Sequence, residues 1–357
     1  MPTNAYGIFQ GGGAKGFAYV GAIKEAELRG IEFVGVAGTS AGAIVAALLA
    51  SGYTADELYN PNLPAGQRGL LDLDLSQYFG NWRLIWALRE VRKGAKFLVS
   101  KLRELWKRFN LVQKFVLYPF CFTGLGFCWV AVACLLILIF AICALWNVFR
   151  YGIVDTDDFA LWLNDKIITG LKKKNPNFKT KTASEMVQFK DMNLNLKIIA
   201  SHVSEKRMHS FPDDGYDDVT VVEAVCASIS IPFVFMPKRI EGFYFVDGGI
   251  VSNFPAWIFE SEQIKLKDKL DVLGFTLQEA QVAANAHRRL WPLEYLFSIG
   301  ATVLQGQWAL STRSVEKLRM IKISTSAELL DFDMDDFSKA TTYKEGSDAA
   351  RILFETH

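Results

Sequence analysis

Residues 5–52 read AYGIFQGGGAKGFAYVGAIKEAELRGIEFVGVAGTSAGAIVAALLASG, and their pattern decides the fold. Ala5 to Gln10 is a short apolar run of strand type, broken by Gly11, Gly12 and Gly13. Ala14 to Arg29 sets small and apolar residues at helical spacing and stops before Gly30. Ile31 to Ala37 is a second strand, Gly38 to Gly42 a turn, and Ala43 to Ser51 a helix of small apolar residues ended by Gly52. Strand, helix, strand, helix predicts a parallel sheet covered by helices. The pattern returns later, with strands predicted at Leu196 to Ala200, Phe243 to Val246, Val272 to Thr276 and Met320 to Ile323. The expected class is α/β, a mostly parallel sheet flanked by helices. Residues 1–80 and 151–357 are expected to build this core, and 81–150 a helical-hairpin insertion.

Three short motifs carry chemistry. Gly38-Thr39-Ser40-Ala41-Gly42 is a G-x-S-x-G turn between a predicted strand and helix, which would expose the Ser40 hydroxyl at the sheet's carboxyl edge. The helix after it aims its N-terminal amides at the same point. Gly11-Gly12-Gly13-Ala14-Lys15-Gly16 lets backbone N–H groups converge on one oxygen, with the Lys15 cation nearby, as an oxyanion hole requires. Asp247-Gly248-Gly249 follows a predicted strand, so its carboxylate can reach the edge that holds Ser40.

Rival readings of these motifs are weaker. G-x-G-x-x-G after a strand also fits a dinucleotide fold, but that needs an acid at the end of the next strand. Here Glu32 stands at its beginning. A phosphate-binding P-loop needs Lys followed by Ser or Thr after the last glycine, and Phe17 follows Gly16. A base for Ser40 is less easily chosen. A histidine triad is formally available because His287 follows Asp247, yet none of His202, His209, His287 and His357 lies in a recognisable motif. Direct activation by Asp247 is chemically harder, since an ordinary carboxylate is a weak base, and burial that raises its pKa would help.

Taken together and in this order, the three motifs resemble the patatin-like phospholipase family. Ala227-Ser228-Ile229-Ser230-Ile231-Pro232 and Val251-Ser252-Asn253-Phe254-Pro255 also look family-like. The resemblance covers roughly residues 5–60 and 150–280 and leaves out 81–150. It implies a Ser–Asp dyad, with Ser40 as nucleophile and Asp247 as its base. The oxyanion would be held by the amides of Gly11, Gly12 and Gly13 helped by Lys15. Gly38, Gly42, Gly248 and Gly249 would support the turns. No cofactor and no metal are implied. The family includes phospholipases A, lysophospholipases, triacylglycerol lipases and transacylases, so the expected function is lipid acyl hydrolysis of phospholipase A or lysophospholipase type. The alternatives are a lipid transacylase, or a membrane-binding, self-assembling protein with a vestigial site.

Composition separates the insertion from the core. Net charge is +1 overall, which gives no reason to expect a nucleic-acid partner. Yet Asn81 to Lys114 holds ten basic residues and two acids, a local +8. Phe97, Leu98, Leu102, Leu105, Trp106, Phe109 and Val112 recur there at helical spacing. From Phe115 to Phe149 there is no charge for 35 residues, and Phe127 to Phe149 could form one apolar helix after Pro119, Gly124 and Gly126. A span needs ~20 apolar residues. A single crossing would put Ser40 and Asp247 on opposite sides of a bilayer, so a hairpin of 82–115 and 127–149 is expected instead. It would lie on the membrane surface, drawn to anionic headgroups, or join copies of the chain as a homo-oligomer. The five cysteines show no C-x-x-C spacing, so no disulfide framework or zinc site is indicated. The N-terminus lacks a signal-peptide pattern, and the expected location is the cytoplasmic face of a membrane. Lys172 to Lys174 is expected to be a solvated helix end, and Asp331 to Asp336 to be surface.

Overall fold

The computed structural model describes residues 3–81, 101, 132, 135–136, 139, 152–178, 185–216, 218–265, 270–279, 317–327, 329 and 331–356. The chain divides into two units. The larger holds 1–79, 156–231 and 237–357, and the smaller holds 80–155 with 232–236.

Most of the apolar segments of the larger unit enter one mixed sheet. Its strands are β1 (Thr3–Phe9), β2 (Ile31–Thr39), β3 (Asn195–His202), β4 (Arg207–Phe211), β5 (Lys238–Ile240), β6 (Phe243–Asp247), β7 (Asp271–Glu279) and β8 (Leu318–Thr325). Pairing follows the path β5-β6-β3-β2-β1-β7-β8, with β4 also paired to β3. β3, β2, β1, β7 and β8 run parallel, as continuous apolar runs of this kind should when both faces are covered. The antiparallel pairs all involve β4, β5 and β6. The fold is therefore the expected mostly parallel α/β sheet.

Register on β3 decides where the site lies. Ile198 and Ile199 pair with Gly38 and Thr39 of β2 on one edge, and with Phe211 and Ser210 of β4 on the other. Ala200 pairs with His209 of β4 and with Asp247 of β6. β6 thus continues along the same edge of β3 as β2, from the opposite direction. The two carboxyl ends meet head to head, with Thr39 opposite Ile199 and Asp247 opposite the next residue. The sequence reading placed Asp247 at this edge by treating its strand as one of the parallel set. The strand is antiparallel, and it reaches the edge only because it enters from beyond it.

The helices include α1 (Ala18–Leu28), α2 (Ala41–Ser51), α3 (Asp157–Lys174), α4 (Val221–Ile229) and α5 (Asp336–Glu355). All eleven residues of α2 are buried, which its small side chains permit. α1 and α5 cross in backbone contact. A Cβ on Gly21 would overlap Tyr343 O, and one on Gly346 would overlap Ala18 O. Phe9, Tyr19, Phe33 and Phe275 form a ring cluster behind the glycine loop, and the Tyr19 hydroxyl donates to Gln10 O at 2.5 Å. Lys172, Lys173 and Lys174 are exposed at the end of α3, as expected, though Lys173 also pairs with Glu57 at 2.8 Å.

In the smaller unit, Gly80 and Asp155 exchange backbone hydrogen bonds at 3.0 and 3.2 Å, so the ends of the 80–155 segment are tied together. Val154 pairs in parallel with Phe235. Most of 82–151, and with it nearly all of the predicted hairpin of 82–115 and 127–149, lies outside the described residues. Val132, Leu135, Leu136 and Ile139 are described, and each is helical and exposed. No helix among the described residues is long and apolar enough to cross a membrane.

Candidate active site

Ser40 sits between β2 and α2 with φ 53° and ψ −124°, a backbone that residues other than glycine rarely adopt. Such strain costs about 1–3 kcal/mol and persists only where the surroundings enforce it. Several bonds do so here. Ser40 N–H donates to Ser228 Oγ at 2.8 Å, and Ser228 Oγ donates to Ile199 O at 2.5 Å. Ser40 O accepts from Ala43 N at 2.9 Å. The flanking glycines have no room for side chains: a Cβ on Gly38 would overlap Gly42 O, and one on Gly42 would overlap Phe9 O. A stability difference follows. Ser40→Gly relieves the strained φ and Ser40→Ala does not, so the glycine variant is expected to melt about 2 °C or more above the alanine variant. Equal midpoints by calorimetry would mean that the turn stores no strain.

Asp247 ends β6 and is buried. Its N–H donates to Ser230 O at 2.8 Å, and its carbonyl accepts from Ser201 Oγ at 2.8 Å. Its carboxylate accepts from Gly249 N at 2.7 Å, and the Ser40 side chain lies near enough to favour its charged form. Burial pushes the Asp247 pKa up to about 6, and Ser40 and Gly249 lower it only in part. A carboxylate with that value is mostly ionised at neutral pH and is a better base than an exposed one. Gly248 has no space for a side chain, because a Cβ there would overlap Ile199 O and come within 3.0 Å of Thr39 Cγ2.

The glycine loop lies against the serine. A Cβ on Gly11 would stand 3.1 Å from Ser40 Cβ and overlap Asn253 Oδ1. Gly11 is held at both ends by Asn253: its N–H donates to Asn253 O at 3.2 Å, and its carbonyl accepts from Asn253 Nδ2 at 3.2 Å. The Gly11 amide, one of the three expected to hold an oxyanion, is engaged by Asn253 O in this structure. No backbone acceptor is found among the described residues for the amides of Gly12 and Gly13. Gly13 has φ 55°, which only glycine takes without cost, and Lys15 is half-buried in the 3-10 turn Gly13–Phe17 that follows.

Comparison with known proteins settles the family. The family model for patatin-like phospholipase matches residues 7–260. The chain belongs to the patatin-like phospholipase family. Among the relatives of this family member is the uncharacterized protein YqhO of Bacillus subtilis (strain 168), 29% identical over 282 residues, covering 76% of this chain and 70% of YqhO. The uncharacterized protein R571 of Acanthamoeba polyphaga mimivirus is 23% identical over 185 residues, 50% of this chain and 60% of R571. Solved structures that are similar include VipD from Legionella pneumophila, with TM-score 0.46, 17% identity, 100% of this chain and 67% of VipD covered. ExoU of Pseudomonas aeruginosa, in complex with SpcU, gives TM-score 0.44 and 17% identity over 99% of this chain and 52% of that one. The chain thus spans about two thirds or less of those structures' length. Membership of the patatin-like phospholipases supports lipid acyl hydrolase activity.

In this patatin-like phospholipase the two described histidines that could have served Ser40, His202 and His209, are buried among aromatic rings. His202 and His209 pack with Phe245, Tyr216 and Phe211. His202 Nδ1 accepts from Glu205 N at 3.2 Å. Burial pushes the His209 pKa down to about 4, and neither of its ring nitrogens has a partner among the described residues. His287 and His357 lie outside the described residues. No cluster of potential metal ligands is found among the described residues.

Two residues gain importance that the motifs alone did not assign, Ser228 and Asn253. Both lie in the segments that looked family-like, which was the available signal. Asn253→Ala would free the Gly11 carbonyl and let the glycine loop drift from Ser40. Turnover is expected to fall about tenfold or more with little change in KM, because small displacements at a reacting centre are costly. Steady-state kinetics on a soluble ester checks this, and an unchanged kcat would show that the Asn253 brace is dispensable.

Proposed function

We propose that this protein is a serine lipid acyl hydrolase of phospholipase A or lysophospholipase type that works with a Ser40–Asp247 dyad at a membrane surface. The observation that supports it most is the strained Ser40 turn set beside the buried Asp247 carboxylate, whose pKa burial pushes up to about 6. Ser40 Oγ attacks the ester carbonyl carbon, and its proton passes to Asp247. The tetrahedral oxyanion is held by the amides of Gly12 and Gly13 and the N-terminus of α2, with Lys15 adding positive charge. The carbon–oxygen bond to the leaving alcohol breaks, and Asp247 returns its proton to that oxygen. Water then attacks the acyl-enzyme, again giving a proton to Asp247. Fatty acid leaves and Ser40 is restored. No metal or redox group is needed for any of these steps.

The +8 segment from Asn81 to Lys114 favours the cytoplasmic leaflet, which carries anionic headgroups. Val132, Leu135, Leu136 and Ile139 recur on one helix face and are exposed, which suits burial in an interface with lipid or with a second copy of the chain.

Mass spectrometry of lipids released from mixed vesicles by the parent and by Ser40→Ala tests the reaction. Free fatty acid and lysolipid should appear with the parent alone. Equal release by both would end the proposal, and acyl esters of an added alcohol in place of fatty acid would mark a transacylase. Binding should be stronger to anionic than to zwitterionic vesicles and weaken with salt. Equal binding to both would remove the membrane role of 82–149.

A further inference from the structure

The family match ends at residue 260, but the chain returns to the site much later. Leu329 O accepts the N–H of Ala14 at 2.9 Å and fills the space where a Gly13 Cβ would stand. The segment that follows, Asp331-Phe332-Asp333-Met334-Asp335, alternates acidic and apolar residues. Asp333 and Asp335 are exposed, as expected for surface, and Asp335 caps α5 by accepting from Ser338 N at 2.7 Å. Phe332 and Met334 instead line an apolar cavity of about 60 Å³. That corrects the expectation that the whole stretch is surface.

The cavity adjoins the reacting centre. Its inner wall is Gly13 and Ala14 of the glycine loop with Ala41, Ile44 and Val45, the residues one, four and five after Ser40. Leu71 and Leu73 close another side. Among the described residues the charged side chain on it is Lys339, which is buried and turns its ammonium to backbone, donating to Asp72 O at 2.6 Å and Leu73 O at 3.4 Å. Lys339 therefore ties α5 to the loop opposite and closes two walls together. Phe332 is further braced by Phe79, 5.5 Å away between ring centres. The described lining is almost wholly apolar, which suits an apolar chain leaving the ester carbonyl better than a polar headgroup.

We infer that Leu329 and residues 331–339 form the outer wall of a pocket for the fatty acyl chain, and that Phe332 and Met334 set the acyl length the site accepts. This rests on the hydrolase reading above. The cavity is small, so a long chain reaches the wall and is sensitive to its bulk.

The test compares kcat/KM on p-nitrophenyl esters from butyrate to palmitate for the parent, Met334→Trp, Met334→Ala and Phe332→Ala. Met334→Trp should lower the ratio of palmitate to butyrate turnover about tenfold, and each alanine variant should raise it. Binding of a fluorescent fatty acid is measured in parallel in the Ser40→Ala background, where Met334→Trp should weaken it about tenfold. If the parent turns over no ester while binding still responds to position 334, the hydrolase reading fails and the pocket stands. If the chain-length profile and the fatty-acid affinity are the same in all folded variants, the wall is overturned. Should Met334→Trp fail to fold, the two alanine variants still decide the matter.

Discussion

Ser40→Ala is expected to lower fatty-acid release from phospholipid vesicles by at least about 10³-fold, the scale seen when a nucleophile that acts as a unit with its base is removed. The loss should fall on kcat rather than KM, because Ser40 Oγ forms its bond only after the lipid is seated. The rest of the site should persist. The glycine loop is held by Asn253 and Leu329, and the backbone of residue 40 by Ser228, and none of these contacts uses the Ser40 hydroxyl. Alanine takes the same strained backbone, so circular dichroism and the melting midpoint should match the parent closely. Release rates from initial-velocity measurements decide the matter. A variant that keeps more than about a tenth of parental activity would assign the chemistry to another residue.

Asp247→Asn should have the second largest effect, a loss of about 10² to 10⁴ in kcat/KM, the usual contribution of a general base. The parent should show kcat/KM rising with pH through about 6 and level above it, since the ionised carboxylate is the competent form. The asparagine variant should lack that limb. Stability should move the opposite way. A carboxyl group whose pKa is raised by folding holds its proton more tightly in the native state. Its stabilising contribution is complete below the unfolded pKa near 4 and is lost as pH climbs through about 6. A shift of about two units corresponds to about 3 kcal/mol, so Asp247→Asn should be more stable than the parent at pH 7. The gap should close toward pH 4. Urea unfolding at both pH values measures it, and a variant less stable than the parent at pH 7 would mean that the carboxylate is better solvated than its burial implies.

Much of this site was legible in the sequence because local rules govern it. A serine between glycines, after an apolar run and before a run of small residues, has few conformations open to it. β2 and α2 lie where that pattern places them, with β2 running on to Thr39 at the turn itself. The glycine loop between β1 and α1 follows from the same kind of reading. What was hidden depends on contacts distant in sequence. The antiparallel course of β6 is set by its register on the tail of β3, not by its composition, and β5 is only three residues long. The occupation of the Gly11 amide by Asn253 joins residues 242 apart. The inward turn of Phe332 and Met334 could be sensed only as an alternation within an acidic stretch, which on its own reads as solvated surface. The predicted hairpin at 81–150 falls mostly outside the described residues, so its amphipathic and apolar patterns remain the basis for the membrane proposal.

Reaction of the native protein with a fluorophosphonate, followed by peptide mapping, tests the pairing of Ser40 with Asp247 most directly. The expected result is one phosphonyl adduct, on Ser40, that forms faster as pH rises through about 6 and far more slowly in Asp247→Asn. An adduct on another residue, or one that forms on Ser40 equally fast without the Asp247 carboxylate, would contradict it.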